Sequence, residues 1–463
     1  MVALALYGLA MRIDDVSDLF RQLARRVFRG RSRFGLGFAA AAHSLIASYR
    51  NGRFPAEDID APLSELFGDG TMLDHAYLSS IGTRLGFPVV DVDSSRAPST
   101  CIVTSYNGAG DERSWEDPGG QATYRVLRAE DPDGSIYARD AARCASAAPW
   151  YFTPHCMPGH GTFMDGGMSH NNPSRLALQE LGTLMPEARR PDQFVSVGTG
   201  ACRTRQTGDK KAGSGLAFSN NSVYQAFQHY MAHNFDGDQA FYDLRHAIGI
   251  ASADRPGDVE QRFRRFNLQL DAELPDLADI QAMDALSDAA RERFEADPAI
   301  HDLARALLAS SFYVELRCSP MFEGGYYKCY GQIRCRVPVC SPSFGPFVKK
   351  LESMSAHFLV QQRAICGPRT MPFAFDRSGN FSKPISFRVR SLEERVDVCL
   401  RISNAHTYHI SASPVSIKSL VSLQELEWAG LRAAGAQTLG QPSKKRPGGK
   451  ATPSAKRRCL RRD

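Results

Sequence analysis

The chain has 463 residues, of which 43% are hydrophobic and 23% are charged, a mixture typical of soluble globular proteins. At this length we expect roughly two or three domains whose cores need no disulfide or metal. The 11 cysteines follow no regular spacing, which argues against a disulfide-rich secreted scaffold and predicts reduced thiols in a cytosolic or nuclear protein. The net charge of +6 is concentrated in residues 443–463, which hold nine Lys or Arg and one Asp, so the rest of the chain sums to −2 and offers no specific nucleic-acid site.

The first 50 residues are predicted to be helical, because apolar residues recur near helical period until Asn51-Gly52 interrupts the pattern. Residues 1–11 (MVALALYGLAM) are too short to cross a bilayer. They could also be the apolar core of a signal peptide, but no basic segment precedes them, and a buried helix is the favoured interpretation.

Strands and helices then alternate, which predicts an α/β sheet. Residues 99–106 (STCIVTSY) predict a buried strand, residues 124–127 a weaker strand, residues 137–148 a helix, and residues 194–197 a short buried strand that enters a glycine turn. The later part of the chain changes in character, with a polar loop at 202–220, mostly helices at 223–308, strands from 312 to about 425 and a disordered basic tail. The predicted divisions are 1–215, 216–310, 311–442 and 443–463.

The most informative string is residues 141–178, AARCASAAPWYFTPHCMPGHGTFMDGGMSHNNPSRLAL. Asp165 follows an apolar pair and precedes Gly166 and Gly167, so the sequence predicts an exposed carboxylate at a strand end with a sharply turning backbone. Asn172 is a candidate N-cap and Pro173 a candidate first residue of the next helix. An Asp-Gly-Gly triplet alone is most often a plain turn, so only the surrounding string makes it informative.

That string resembles the patatin-like phospholipase family, in which Ser-Ala-Ala-Pro precedes Asp-Gly-Gly or Asp-Gly-Ala and Asn-Asn-Pro follows. FVSVGTG (residues 194–200) is similar to the family's next strand and turn. The resemblance covers about residues 1–200 and implies a three-layer α/β/α sandwich. Residues from about 265 onward resemble, more vaguely, extended family members with a helical region and a small C-terminal β-rich module.

The resemblance implies a serine and aspartate dyad acting on lipid acyl esters of phospholipids or acylglycerols, with peripheral membrane contact and without cofactor or metal. It assigns the base to Asp165 within the Asp165, Gly166 and Gly167 motif. A serine hydroxyl needs such a base to become an effective nucleophile. A glycine-rich loop upstream supplies the backbone N–H groups that stabilise the oxyanion.

The sequence contains neither G-x-S-x-G nor G-x-G-x-x-G, so it holds no serine in the family's nucleophile elbow. Residues 1–11 resemble the helix that follows the elbow, which predicts a domain truncated at its N-terminus that lacks its first strands and is inactive by itself. We expect poor stability, because a missing central strand leaves backbone groups unpaired. An incomplete gene model is favoured over a truncated relative that needs a partner.

Other candidate sites are weaker. The spacings among Cys318, Cys329, Cys335 and Cys340 exceed those typical of zinc ligands, so free thiols are favoured. A Ser-His-Asp triad could be formed by Ser146 or Ser169 with His155, His160 or His170, but neither serine lies in an elbow motif, and loop roles for the histidines are favoured.

The tail carries two basic clusters within residues 444–458, which would suit an import receptor, anionic lipid or simple solubilisation. The predicted location is therefore cytoplasmic or peripheral to a membrane, with nuclear entry as an alternative. The rival to a hydrolase is a non-catalytic interaction or regulatory protein, acting in the nucleus, that keeps a remnant of the fold.

Overall fold

The computed structural model describes residues 1–28, 52–93, 97–107, 124–128, 134–185, 190–202, 237–251, 256–271, 274–364, 375–376, 379–402 and 406–424. Contacts divide the chain into two units. The first contains Met1–Ser311 and Tyr408–Ala412, and the second contains Phe312–Thr407 and the chain from Ser413 onward. The predicted loop at 202–220, apart from residue 202, and the predicted tail at 443–463 lie outside the described residues, as do residues 29–50. The finer division at residue 215 stays a prediction.

Helices of the first unit follow the amphipathic stretches of the sequence. A π-helical turn occupies Leu4–Gly8 and buries Leu4 and Ala5. The α-helices are Ile13–Val27, Glu57–Phe67, Ala76–Ile81, Ala138–Cys144, Gly167–His170, Ser174–Leu184, Gly237–Ala251, Pro256–Arg262, Ala282–Glu295 and Pro298–Ser310.

The main sheet of this unit has the strands β1 (Gly86–Asp91), β2 (Ser99–Thr104), β3 (Arg125–Leu127), β4 (His155–Met157) and β5 (Gly161–Asp165). They lie side by side in the order β3-β2-β1-β5-β4. The β2–β3 pair is parallel, whereas β1–β2, β1–β5 and β4–β5 are antiparallel. The α/β class predicted from the sequence is therefore confirmed, with a mixed sheet. The strands predicted at 99–106 and 124–127 are found, but β1 was missed.

The two faces of this sheet pack differently. Val89, Cys101, Val103 and Phe163 belong to a large core cluster on one face, together with Leu4 and the helices at Glu57–Phe67 and Ala138–Cys144. Ile102 alternates with its neighbours and packs on the other face with Tyr124, Val126 and Leu176. Because successive side chains of a strand point to opposite faces, β2 contributes to both cores.

Two short parallel pairs complete the first unit, and both correct the sequence interpretation. β6 (Phe194–Val197) pairs with β8 (Phe263–Phe266), and β7 (Ala201–Cys202) pairs with β9 (Gln269–Leu270). The predicted helical stretch 223–308 was therefore wrong at β8 and β9. β6 was also predicted to be buried, but Val197 is 76% exposed and only Ser196 is buried.

The second unit is built mainly from strands. In one sheet, β12 (Tyr326–Cys335) is flanked by β10 (Phe312–Leu316), β11 (Met321–Glu323) and β15 (Ser382–Val389). The Phe312 ring packs edge-on against Phe358, with 4.9 Å between centroids. Its remaining elements are β13 (His357–Val360), β14 (Arg363–Ala364), β16 (Arg395–Val396), β17 (Val398–Ile402) and β19 (Val415–Ser416), the helices Phe344–Ser353 and Ile417–Leu423, and β18 (His406–His409), which crosses the unit boundary.

The N-terminal stretch is less continuous than its periodicity predicts. The π-helical turn ends at Gly8, Ala10 has a φ of 55°, and a new helix begins at Ile13. Leu9 and Ile13 are exposed although they match the helical period. Within the described parts of the chain, no helix combines the length and apolarity needed to span a bilayer.

Candidate functional site

Asp165 is the last residue of β5 and lies next to the string that marked it in the sequence. Phe163 and Met164 are buried and anchor the strand, and Asp165 lies opposite Val89 of β1. The backbone N–H of Asp165 donates to the carbonyl of Ala147, 3.1 Å away. The Ser-Ala-Ala-Pro segment therefore positions the end of β5 directly, through one main-chain hydrogen bond.

Gly166 is required because space is lacking. A Cβ at this position would lie 2.2 Å from the carbonyl oxygen of Pro88, closer than any packed atoms allow. At Gly167 a Cβ would lie 3.5 Å from Oδ1 of Asp165, which is ordinary contact. The first glycine lets two backbone segments approach closely, and the second leaves one side of the carboxylate open.

The Asp165 carboxylate is partly buried, not exposed as the sequence predicted, and has few partners. Its Oδ1 accepts a hydrogen bond from the backbone N–H of Gly167 at 3.0 Å. Burial raises the pKa of Asp165 above its ordinary value, and the Gly167 hydrogen bond offsets only part of that effect. Among the described residues, no basic side chain pairs with it. A desolvated carboxylate without a counter-ion is a stronger base than an exposed one.

The three histidines near this turn do not contact Asp165. His155 Nε2 lies 3.0 Å from Oδ1 of Asp140, and His160 Nε2 lies 3.0 Å from the carbonyl oxygen of Gly134. His170 Nδ1 lies 3.1 Å from Oγ of Ser169. His155 thus joins β4 to the helix Ala138–Cys144, and His160 joins the β4–β5 turn to the loop at Gly134, which leaves a triad through Asp165 without support.

Ser169 and His170 do form a hydroxyl and imidazole pair. Thr100 Oγ1 donates to Ser169 Oγ at 3.3 Å, and Ser169 Oγ lies 3.3 Å from the carbonyl oxygen of Gly166. Burial, together with the charge of Arg175, lowers the pKa of His170 below its ordinary value. Ser169 is exposed.

Ser146, the other candidate, lies between Ala145 and Ala147, and its backbone N–H donates to the carbonyl of Arg143.

Asn172 lies one residue before the N-cap of the following helix, which is Pro173 rather than the predicted Asn172. Its Oδ1 accepts from the backbone N–H of Ser174 at 3.0 Å and from the Ser174 hydroxyl at 2.5 Å. The helix begins at Ser174, one residue after the predicted Pro173. Asn172 Nδ2 also donates to the carbonyl of Gly237 at 2.6 Å, which joins this turn to a helix about 65 residues further along the chain.

A closed ring of hydrogen bonds extends from Asn172, and the sequence did not reveal it. The Ser174 hydroxyl contacts Ser196 Oγ at 3.4 Å, Arg265 Nη1 donates to Ser196 Oγ at 2.7 Å, and Arg265 Nε donates to Asp238. Asp238 directly follows Gly237, whose carbonyl accepts the hydrogen bond from Asn172, so the peptide link between them closes the ring. The sequence predicted a helix where β8 lies, so it gave no sign of this contact. As a strand residue, Arg265 reaches Ser196.

The carboxylate in this ring, that of Asp238, has its pKa shifted in the opposite direction from that of Asp165. Burial alone would raise the pKa of Asp238, but hydrogen bonds from Arg265 and Asn267 outweigh it and lower the pKa. Asn267 Oδ1 in turn accepts from the backbone N–H of Gly200, and a Cβ at Gly198 would lie 2.2 Å from that Oδ1. The ring therefore also supports the FVSVGTG turn.

The four cysteines weighed as zinc ligands are free thiols. Cys318 and Cys340 are exposed, Cys329 is buried and Cys335 is half-buried. Burial raises the pKa of Cys329 to about 12 and that of Cys335 to about 11. These four do not converge on a common point within the part of the chain that the structure describes.

Comparison with known proteins identifies the region that contains the site. A family model described as "Patatin-like phospholipase" matches residues 2–178. A "cGAMP-activated phospholipase" of Vibrio cholerae serotype O1 is 45% identical over 73 residues, 14% of this chain and 21% of that protein. The "Calcium-independent phospholipase A2-gamma" of Oryctolagus cuniculus is 25% identical over 189 residues, 41% of this chain and 21% of that protein. The chain thus spans about a fifth of the length of these relatives. No solved structure matches it.

Proposed function

Residues 2–178 form a domain of the patatin-like phospholipase family, and from that premise we propose that Asp165 is the base of a serine and aspartate dyad that cleaves lipid acyl esters. In this reaction the carboxylate takes the proton of a serine hydroxyl as the oxygen attacks the ester carbonyl. The ester then loses its alcohol, and water releases the acyl group from the serine. The domain is thus a lipid hydrolase domain, of phospholipase or lipase type.

The state of the Asp165 carboxylate is the observation that carries this proposal. The carboxylate is partly buried and accepts a hydrogen bond from one backbone donor. It lies at the end of β5, where Gly167 leaves one side of the carboxylate open. An aspartate that only stabilised the fold would be expected to hold a cation or several donors, as Asp238 does. The raised pKa of Asp165 suits proton abstraction better than an ordinary carboxylate does.

The substrate class proposed is a phospholipid or an acylglycerol, reached through peripheral contact with a membrane. The relatives are named phospholipases, which supports an acyl ester of a lipid. The residues assigned to the reaction supply a base and need no metal.

No serine of this chain is proposed as the nucleophile of the dyad. No G-x-S-x-G or G-x-G-x-x-G occurs in it, so neither the elbow serine nor the oxyanion loop is supplied. Without a nucleophile held within hydrogen-bond reach of Asp165, this chain alone is proposed to be inactive.

A fluorogenic acyl ester tests the proposal with two proteins. The 463-residue chain is expected to show no turnover. A longer protein, in which an added patatin-like segment carrying G-x-G-x-x-G and G-x-S-x-G precedes Met1, is expected to hydrolyse the ester. Asp165→Asn in the longer protein should abolish turnover, whereas Asp93→Asn, an acid just beyond the end of β1, should leave it unchanged.

The same assay separates this function from its rivals. Turnover by the printed chain that is lost on Ser169→Ala would assign the nucleophile to the Ser169 and His170 pair instead. A longer protein that stays inert, with its fold verified by circular dichroism, would favour the non-catalytic interaction protein.

A further inference from the structure

A cavity of about 320 Å³ lies between the sheet of the first unit and the helix Ser174–Leu184. Gly86 and Pro88 of β1 and Ile102 of β2 form its floor, and Leu176, Leu181 and Leu184 form the helical wall. The volume is that of a small-molecule pocket. Its walls are mostly apolar, and the cavity lies on the sheet face opposite the large core cluster.

The cavity begins beside the candidate site. Pro88, which lines it, is the residue whose carbonyl oxygen excludes any side chain at Gly166. Pro173, which also lines it, is the N-cap of that helix and directly follows Asn172. A chain-like molecule lying in the cavity would therefore reach the segment that joins Asp165 to the next helix.

A carboxylate in the cavity wall is already satisfied. Glu180 is buried, and its two oxygens accept hydrogen bonds from Tyr106 at 2.8 Å and from Tyr124 at 2.6 Å. Burial and the nearby Glu180 charge raise the pKa of Tyr106 far above its ordinary value, so the phenol stays a donor. Glu180 is thus engaged within the protein.

Arg84 is the complementary feature. It lines the same cavity, is exposed, and lies close enough to Tyr106 to act on it electrostatically. Among the described residues, no carboxylate and no other acceptor pairs with its guanidinium. An apolar pocket with an unpaired cation at its opening is complementary to an amphiphile with an anionic end.

We propose that this cavity binds the anion of a free fatty acid, with its alkyl chain between β1–β2 and the helix Ser174–Leu184 and its carboxylate on Arg84. The inference goes beyond the proposed hydrolysis, because it concerns a free acid rather than an ester and needs no nucleophile. Such an acid is the product class of the proposed reaction, so the cavity would retain product beside the site.

Binding to the printed chain tests this directly, by displacement of dansylundecanoic acid with a series of linear acids and the alcohols of equal length. Affinity is expected to rise about fourfold per added methylene and then to stop rising once the cavity is full. Acids should bind more tightly than alcohols by about fivefold, the contribution of one exposed ion pair.

Two variants separate the charge from the cavity. Arg84→Gln should remove the preference for acids over alcohols and leave alcohol binding intact. Arg175 is an exposed arginine of the helix Ser174–Leu184 that does not line the cavity. Arg175→Gln is therefore the matched control and should keep the preference for acids over alcohols. Ala177→Phe fills the cavity from an exposed helical position and should weaken acids and alcohols alike, with Ala177→Leu as a smaller replacement.

The proposal is overturned by any of three results: an acid preference that survives Arg84→Gln, wild-type binding by a folded Ala177→Phe protein, or affinity that rises with chain length without limit. The outcome is independent of the ester assay. An inert extended protein that still binds acids leaves this inference standing, and an active one that does not bind them refutes it alone.

Discussion

Asp165 and Asp238 lie in the same unit and are held in opposite ways. The carboxylate of Asp165 has one backbone donor and a raised pKa, whereas that of Asp238 takes hydrogen bonds from Arg265, Asn267 and Gln269 and has a lowered pKa. A fully partnered buried charge joins elements together, whereas a poorly partnered buried carboxylate can still accept a proton in a reaction. The difference separates the structural carboxylate from the candidate catalytic one.

The largest expected effect comes from breaking the ring. Arg265→Ala leaves Asp238 without its main partner in a partly buried position, so the free energy of unfolding should fall by about 3 kcal/mol. Chemical denaturation measures this. Arg293→Ala, which removes a more exposed pair with Asp297, should cost less than about 1 kcal/mol. Equal losses would show that the ring is not special.

Acidification sharpens the same contrast. Because the pKa of Asp238 is lowered in the folded state, its stabilisation is present above the unfolded pKa and is lost as pH falls through the folded pKa. The extra stability of wild type over Arg265→Ala should therefore shrink in acid. A difference that stays constant down to pH about 2, well below the ordinary carboxylate pKa, would contradict this assignment.

At the candidate site the two glycines should behave differently. Gly166→Ala forces a Cβ against the carbonyl of Pro88, so we expect a loss of about 2 kcal/mol in the free energy of unfolding. Gly167→Ala places a Cβ at ordinary contact distance inside a helical turn and should cost under about 1 kcal/mol. Thermal unfolding of both proteins compares them, and equal losses would count against the Pro88 contact.

Asp165→Asn should stabilise the fold, in contrast to every change in the ring. Its pKa is raised in the folded state, so the ionised form costs stability, and that cost disappears as pH falls through the folded pKa towards the unfolded one. Near neutral pH we expect a higher free energy of unfolding than in wild type, and this gain should vanish in acid. Melting curves across pH test this, and destabilisation at neutral pH would contradict it.

The smallest effect on stability is expected from deleting residues 443–463, because that segment is nearly devoid of apolar side chains. The melting temperature should not change. A fluorescent fusion should move out of the nucleus if the basic clusters bind an import receptor, and off membranes if they bind anionic lipid. An unchanged distribution would leave solubilisation as the role of the tail.

Local sequence predicted β2, β3 and the strand position of Asp165, because β-branched runs and an Asp-Gly-Gly turn report on their own neighbourhood. It missed β1, since Gly86 and Pro88 interrupt the apolar pattern that marks a strand. It misassigned β8, because the charges of Arg264 and Arg265 suit a solvated helix as well as a strand that feeds a buried ring.

By itself the sequence predicted the resemblance to patatin-like phospholipases that a family model matches over residues 2–178, the place of Asp165 at a strand end and the absence of an elbow serine from this chain. Only the tertiary structure decided that Gly166 must be glycine, that Arg265 reaches Ser196, and that Arg84 faces an apolar cavity without a described partner. Motifs are contiguous and can be read along the chain, whereas these contacts join residues about 70 or more positions apart or depend on the packing of a helix on a sheet.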